Sequence, residues 1–187
     1  MANVNHSTLT DPYLHEPKGV AAATAGQIYI ADGAGSGDWT QNHRHVGGHL
    51  TFSTGSPYAH STTTSDSVLN PTFTLVDNNG FTGLSSPNAR IRYDGAESIS
   101  SALTATFSIQ QSSGTSRNVE IVLYKNGVAL AGSRVIATAA SGEWNQITTA
   151  FNTTLATNDY IEVFTKADSS ATINYASGYL RITGVPA

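Results

Sequence analysis

The chain has 187 residues, a formal net charge of −4 and 12 % charged residues, about half of the ~25 % usual for a soluble domain. That composition excludes a coiled coil or a long helical bundle, which need Glu, Lys, Leu and Arg in quantity, and nine scattered basic residues make no Lys/Arg stripe for nucleic acid. With no cysteine there is no disulfide, thiolate metal site or cysteine nucleophile, no run reaches the ~20 apolar residues of a membrane span, and the polar N-terminus lacks the apolar core of a secretory signal.

In chain order, residues 1–45 read as a mostly extended arm. Asp11-Pro12 and Glu16-Pro17 push the backbone toward extended or turn conformations. Val20–Ala23 is too short for a helix of weight, and Gln27–Asp32 reads as a short strand. Gly33-Ala34-Gly35-Ser36-Gly37-Asp38 then forms a flexible turn that lets Trp39 fold back. The segment has too few large apolar side chains for a core of its own. Tyr13, Leu14, Ile28, Tyr29, Ile30 and Trp39 are therefore expected to bury themselves against other copies or a partner. Residues 46–67 read as a linker, in which His49–Phe52 has the pattern of a short strand and the Ser/Thr/Gly-rich stretch 53–67 reads as loop.

From residue 68 to 187, short β-rich runs alternate with turn residues. Pro71–Val76 stops at Asp77-Asn78-Asn79-Gly80, and Ala89–Tyr93 stops at Asp94-Gly95. Leu103–Ile109 puts Leu103, Ala105, Phe107 and Ile109 on one face. Val119–Tyr124 runs into Asn126-Gly127, a two-residue hairpin signal because its turn needs positive φ twice. Arg134–Ala137, Gly142–Phe151 and Asp159–Thr165 follow, then Thr172–Thr183 as a last pair or one long strand. Strands at roughly 8–12-residue spacing with no helical period predict an all-β jelly-roll sandwich.

Several of these segments, in order, resemble the trimeric jelly rolls of phage proteins related to the complement and tumour-necrosis-factor superfamily: Asn88–Gly95, Leu103–Ile109, Val122–Gly127, Leu155–Val163 and Gly178–Ile182. Separately, Leu14–Val20 followed by Ala25–Trp39 is similar to the leader of bacteriophage head-fibre and head-decoration proteins. The resemblance implies a homotrimer on the outer capsid surface of a virion, made in the host cytoplasm. Its arm would dock the major capsid protein through Tyr13, Leu14, His15, Glu16, Pro17, Lys18 and Trp39. Its jelly roll would face outward, stabilising the shell or meeting a host glycan or receptor. No collagen-like or coiled-coil shaft joins arm and head, which points to a short knob or cement protein. The alternative is a tail-fibre or receptor-binding protein. Arm and head together call for no nucleic acid, membrane or cofactor.

The remaining chemistry-bearing residues are weighed against that reading. Gly33–Asp38 lacks the third glycine of a G-x-G-x-x-G loop, and no helix follows it. His43 and His45, with His49, are the metal candidates, since a strand would put them on one face and imidazole suits zinc or nickel. Solvated loop histidines or capsid contacts are the other reading, and the expectation is no metal. Asp94, Glu97, Glu120, Glu143, Asp159 and Glu162 show no evident pair at glycosidase spacing, and no G-x-S-x-G motif supports a serine nucleophile, so no enzymatic activity is expected. Tyr160, Phe164, Tyr175 and Tyr179 could line a sugar-binding surface or belong to the core.

Overall fold

The computed structural model describes residues 27–31, 37–41, 45–84 and 90–186. The chain divides into two compact units, 1–43 and 44–187. In the first, β1 (Gln27–Ala31) and β2 (Gly37–Gln41) form an antiparallel hairpin with Tyr29 opposite Trp39. Their rings meet edge-on at 5.4 Å, so the two large aromatics cover one face of the ribbon.

The second unit is a sandwich of two antiparallel sheets. A five-stranded sheet has the order β12 (Asn145–Leu155), β8 (Ile99–Gln111), β14 (Ala171–Pro186), β3 (Val46–Thr62) and β5 (Thr74–Asn79). The facing sheet has the order β10 (Val128–Ala129), β9 (Arg117–Lys125), β13 (Tyr160–Ala167), β7 (Arg90–Tyr93) and β6 (Phe81–Leu84). It is completed by β11 (Val135–Ala139) on β9 and β4 (Ser67–Val68) on β13. Apart from the β6–β7 and β9–β10 hairpins, most neighbours come from distant parts of the chain, as in a jelly roll, which is the fold class expected from the sequence.

Strict alternation explains why the strands lie as they do. Along β8, Leu103, Ala105, Phe107 and Ile109 are buried between the sheets, while Ser100, Ala102, Thr104 and Ser108 face outward. Ile121, Leu123, Ile161 and Val163 meet them from the other sheet. Burial of each such side chain is worth roughly 1.5–3 kcal/mol. The sheets approach closely at Gly48, where an added Cβ would stand 2.3 Å from Ile91 Cδ1 and 2.7 Å from Phe81 Cγ. The fully buried Tyr175 of β14 reaches across and its hydroxyl lies 2.9 Å from Thr165 Oγ1 of β13. Burial pushes the Tyr175 phenol well above its ordinary pKa.

Several elements differ from the sequence expectation. The 46–67 stretch, read as a linker, carries the 17-residue β3, which pairs with β14 over most of its length. The loop-like composition has a local cause. Ser53 pairs Ser177 and Tyr58 pairs Tyr175, so the residues between, which include Pro57, are looped out of the ladder. A proline lacks the N–H a ladder requires. The strand expected over 71–76 is shifted to Thr74–Asn79, and 172–183 is one long strand with a bulge at Ala176.

Candidate functional site

The two jelly-roll motifs Lys125-Asn126-Gly127 and Asn158-Asp159-Tyr160 clasp one another. Asn126 and Gly127 have φ of 52° and 77°, as the hairpin turn requires. Asn126 Nδ2 donates to Asp159 Oδ1 at 2.6 Å, Tyr160 N–H donates to Asn126 Oδ1 at 2.9 Å, and Lys125 Nζ lies 2.8 Å from Asp159 Oδ2. Burial raises the Asp159 pKa, but the hydrogen bonds from Lys125, the Ala156 N–H and Asn126 more than offset this and hold it below the ordinary carboxylate value. These motif residues are therefore engaged with one another and position the two loops.

Several other polar groups on this side of the sandwich are similarly committed, although Glu162 Oε1, Arg90 Nε and Arg117 Nε are buried without a hydrogen-bond partner. The Arg134 guanidinium donates to both oxygens of Asp66, at 2.7 and 3.1 Å, and to Glu120 at 2.8 Å. Lys166 Nζ lies 3.4 Å from Glu120. The Arg134 hydrogen bond is the largest cause holding Asp66 below its ordinary pKa. Asp94 accepts from Arg92 at 2.6 Å and from Thr82. Glu162 is 3 % exposed, beside Arg90 and Tyr124 in register. Of the sequence-expected carboxylates, Glu97 and Glu143 are exposed in the segments that precede β8 and β12.

The aromatic candidates do not form one surface. Tyr175 belongs to the core. Phe164 stacks on Tyr124 with centroids 3.8 Å apart, and Arg90 sits 4.6 Å above the Tyr160 ring, both on the outer face of the seven-stranded sheet. Tyr179 lies on the outer face of the other sheet, edge-on to His49 at 5.6 Å. Trp39 lies in the β1–β2 hairpin against Tyr29. Tyr13, Leu14, His15, Glu16, Pro17, Lys18 and His43 fall outside the described residues. His45 is exposed at the start of β3, and among the described residues no three His, Cys, Asp or Glu side chains are grouped to hold a metal ion.

What the sequence reading missed is how charge divides between the sheets. β3, β8 and β12 contain no Asp, Glu, Lys or Arg, and β14 contains only Arg181. In the facing sheet Arg90, Arg92, Arg117, Glu120, Lys125, Glu162 and Lys166 all lie on strands. The outer face of the five-stranded sheet is thus a lawn of Ser, Thr, Ala, Asn and Gln around His49, Tyr179 and Arg181. Shallow depressions of about 300 to 320 Å³ indent it, one beside His45, Asn152 and Val185, one beside His49, Gln146 and Tyr179, and one beside His49, Thr104 and Arg181. His49 Nε2 is buried there with no hydrogen-bond partner. A count of charge by strand, rather than over the whole chain, was the available signal.

No known protein family and no curated protein matches the sequence. Solved structures with a similar arrangement include the Eiger tumour-necrosis-factor protein of S. frugiperda, at 9 % identity over 75 % of this chain and 92 % of that one, TM-score 0.49. Murine APRIL is similar at 15 % identity over 75 % and 99 %, TM-score 0.46. The vertex protein P5 of PRD1 is similar at 12 % identity over 75 % and 96 %, TM-score 0.47.

Proposed function

We propose that this chain is a structural protein of a virion, a homotrimer that decorates the outer capsid surface as a cement or head-fibre protein. Residues 1–45 anchor it to the major capsid protein, with Tyr13, Leu14, His15, Glu16, Pro17, Lys18 and Trp39 making the contact. The observation that carries the assembled state is the outer face of the five-stranded sheet, whose four strands β3, β8, β12 and β14 hold a single charged side chain. A sheet face meant for solvent carries mixed charges, whereas the centre of a protein interface is depleted of them. Two further copies would cover this face. The charge-bearing sheet is left facing outward, where a host glycan or receptor would be met. The leader resemblance over residues 14–39 supplies the virion and the capsid as the place of attachment.

Light scattering and co-sedimentation test this together. The full chain is expected near three times 19.6 kDa and to pellet with empty capsids. A chain lacking residues 1–45 is expected to keep the trimer mass and stay in the supernatant. A deleted chain that still pellets overturns the arm assignment. Glycan-array binding without capsid binding would favour the tail-fibre alternative.

A further inference from the structure

Arg181 stands alone. It is exposed in the middle of the charge-free face, its in-register neighbours are His49 on β3 and Thr104 on β8, and it takes part in none of the described ion pairs. If second copies cover this face, as proposed above, the guanidinium loses its water and requires an anion. The same face offers one. Asp77 of edge strand β5 is opposite His49 in register, and its carboxylate lies on the outer side, with Oδ2 3.0 Å from where a Gly47 Cβ would stand. Asp77 accepts the Asn79 N–H at 3.3 Å and is in none of the described ion pairs. Arg181 and Asp77 thus occupy one row across the sheet, Thr104–Arg181–His49–Asp77. They are two strands apart, about 10 Å, with the His49 imidazole between them.

We infer that Arg181 of one copy pairs with Asp77 of the next, so that edge strand β5 of each protomer lies against the β14–β3 face of its neighbour. A rotation axis running along the strands carries one copy to the next without changing height, so residues of one row meet residues of the same row. The contact joins a sheet centre to a sheet edge, two different patches. It is therefore head-to-tail, the kind of contact that closes into a ring when the rotation permits. Val76, displaced at the β5 bulge and 62 % exposed, supplies the apolar neighbour to the pair and faces the Tyr179 ring of the next copy. Charge then agrees: the cation of the face and the acid of its edge, which form no ion pair within the chain, complement each other between chains.

The inference rests on the trimer reading, and the test separates the two. Arg181→Asp, Asp77→Arg and the double variant are prepared in the full chain and followed by light scattering across a dilution series, with circular dichroism as the folding control. Each single reversal places like charges in contact, which interfaces reject strongly, so its trimer is expected to dissociate at a concentration at least about tenfold above wild type. The double variant is expected to return to within about threefold of wild type. Singles that remain trimeric alongside a trimeric wild type overturn the pairing and leave the trimer intact. A monomeric wild type overturns the trimer and the pairing with it. If a reversal does not fold, Arg181→Gln and Asp77→Asn replace it, and an unchanged dissociation concentration in both overturns the pairing.

Discussion

Gly48→Ala probes the narrowest point of the sandwich. A Cβ at Gly48 would meet Ile91 Cδ1 at 2.3 Å, Phe81 Cγ at 2.7 Å and Phe81 Cβ at 2.9 Å, all well inside the ~3.5–4.0 Å of a normal carbon contact. All three atoms belong to the facing sheet, so relief requires the sheets to part or two buried side chains to leave their rotamers. Overpacking of this kind costs about 1–3 kcal/mol, and three contacts below 3 Å put it at the upper end. Replacing glycine in a strand returns about 0.5–1 kcal/mol of chain entropy, which leaves a net loss of about 2 kcal/mol. For a chain of this size that is a fall in Tm of about 4–8 °C. Ile91→Val deletes the Cδ1 that the new methyl would strike, at a cost of about 1 kcal/mol by itself. The double variant should therefore be more stable than the sum of the singles by about 1 kcal/mol, with the Phe81 contacts preventing full recovery. Urea unfolding at one fixed protein concentration measures all four proteins, since association would otherwise shift the midpoints. Strictly additive losses, or a Gly48→Ala protein as stable as wild type, would refute the close approach of β3 to β7.

Two further predictions concern the loops and the pH response. Asp159→Ala removes the acceptor shared by Lys125, Asn126 and the Ala156 N–H, and should cost about 2 kcal/mol by urea unfolding; a loss below about 0.5 kcal/mol would mean that the two motifs do not clasp. His60 lies 2.9 Å from Ser67 Oγ through Nε2 and 3.4 Å from the Tyr58 hydroxyl through Nδ1, against the Tyr175 ring, and burial lowers its pKa. The unfolded imidazole titrates near ~6.5, so between that value and the lower folded one the unfolded chain binds the extra proton. The His60 contribution is thus fully present above about pH 6.5 and declines as pH falls through the folded pKa. Between pH 7.5 and 5.5, His60→Gln should lose less stability than wild type; equal losses would refute the assignment.

How much of this was readable in advance depends on where each strand finds its partners. β8, β9 and β13 announce themselves because their inward residues are large and apolar at every second position, as in Leu103, Phe107 and Ile109 or Ile161 and Val163. The Asn126-Gly127 turn was equally legible, since positive φ at two successive positions leaves few residue choices. The second half of β3 was not. Tyr58, His60 and Thr62 are its inward-facing residues there, and the strand exists because β14 pairs with it, a contact more than a hundred residues away that no local propensity records. Glu120 was visible as a candidate carboxylate but its partners were not: Arg134 bridges it to Asp66 only when the chain between β3 and β4 folds onto β9. The charge-poor face was hidden for another reason. Its signal is an absence of charge, which becomes meaningful only when β3, β8, β12 and β14 are known to be neighbours.

The position of β14 has a consequence for how the protein is made. It hydrogen-bonds β3 on one side and β8 on the other, joining residues near position 50 and position 105 to residues near 180. Nothing else in the described sheet can hold β3 and β8 together. While the ribosome is still translating the segment before residue 171, both strands are present with open edges and no partner between them. Such long-range closure is slow, and unpaired edges are prone to associate with those of other chains. The five-stranded sheet therefore forms as a late event, after translation of β14, and a pause or truncation upstream of it would leave a chain whose first products are aggregates rather than a smaller folded domain.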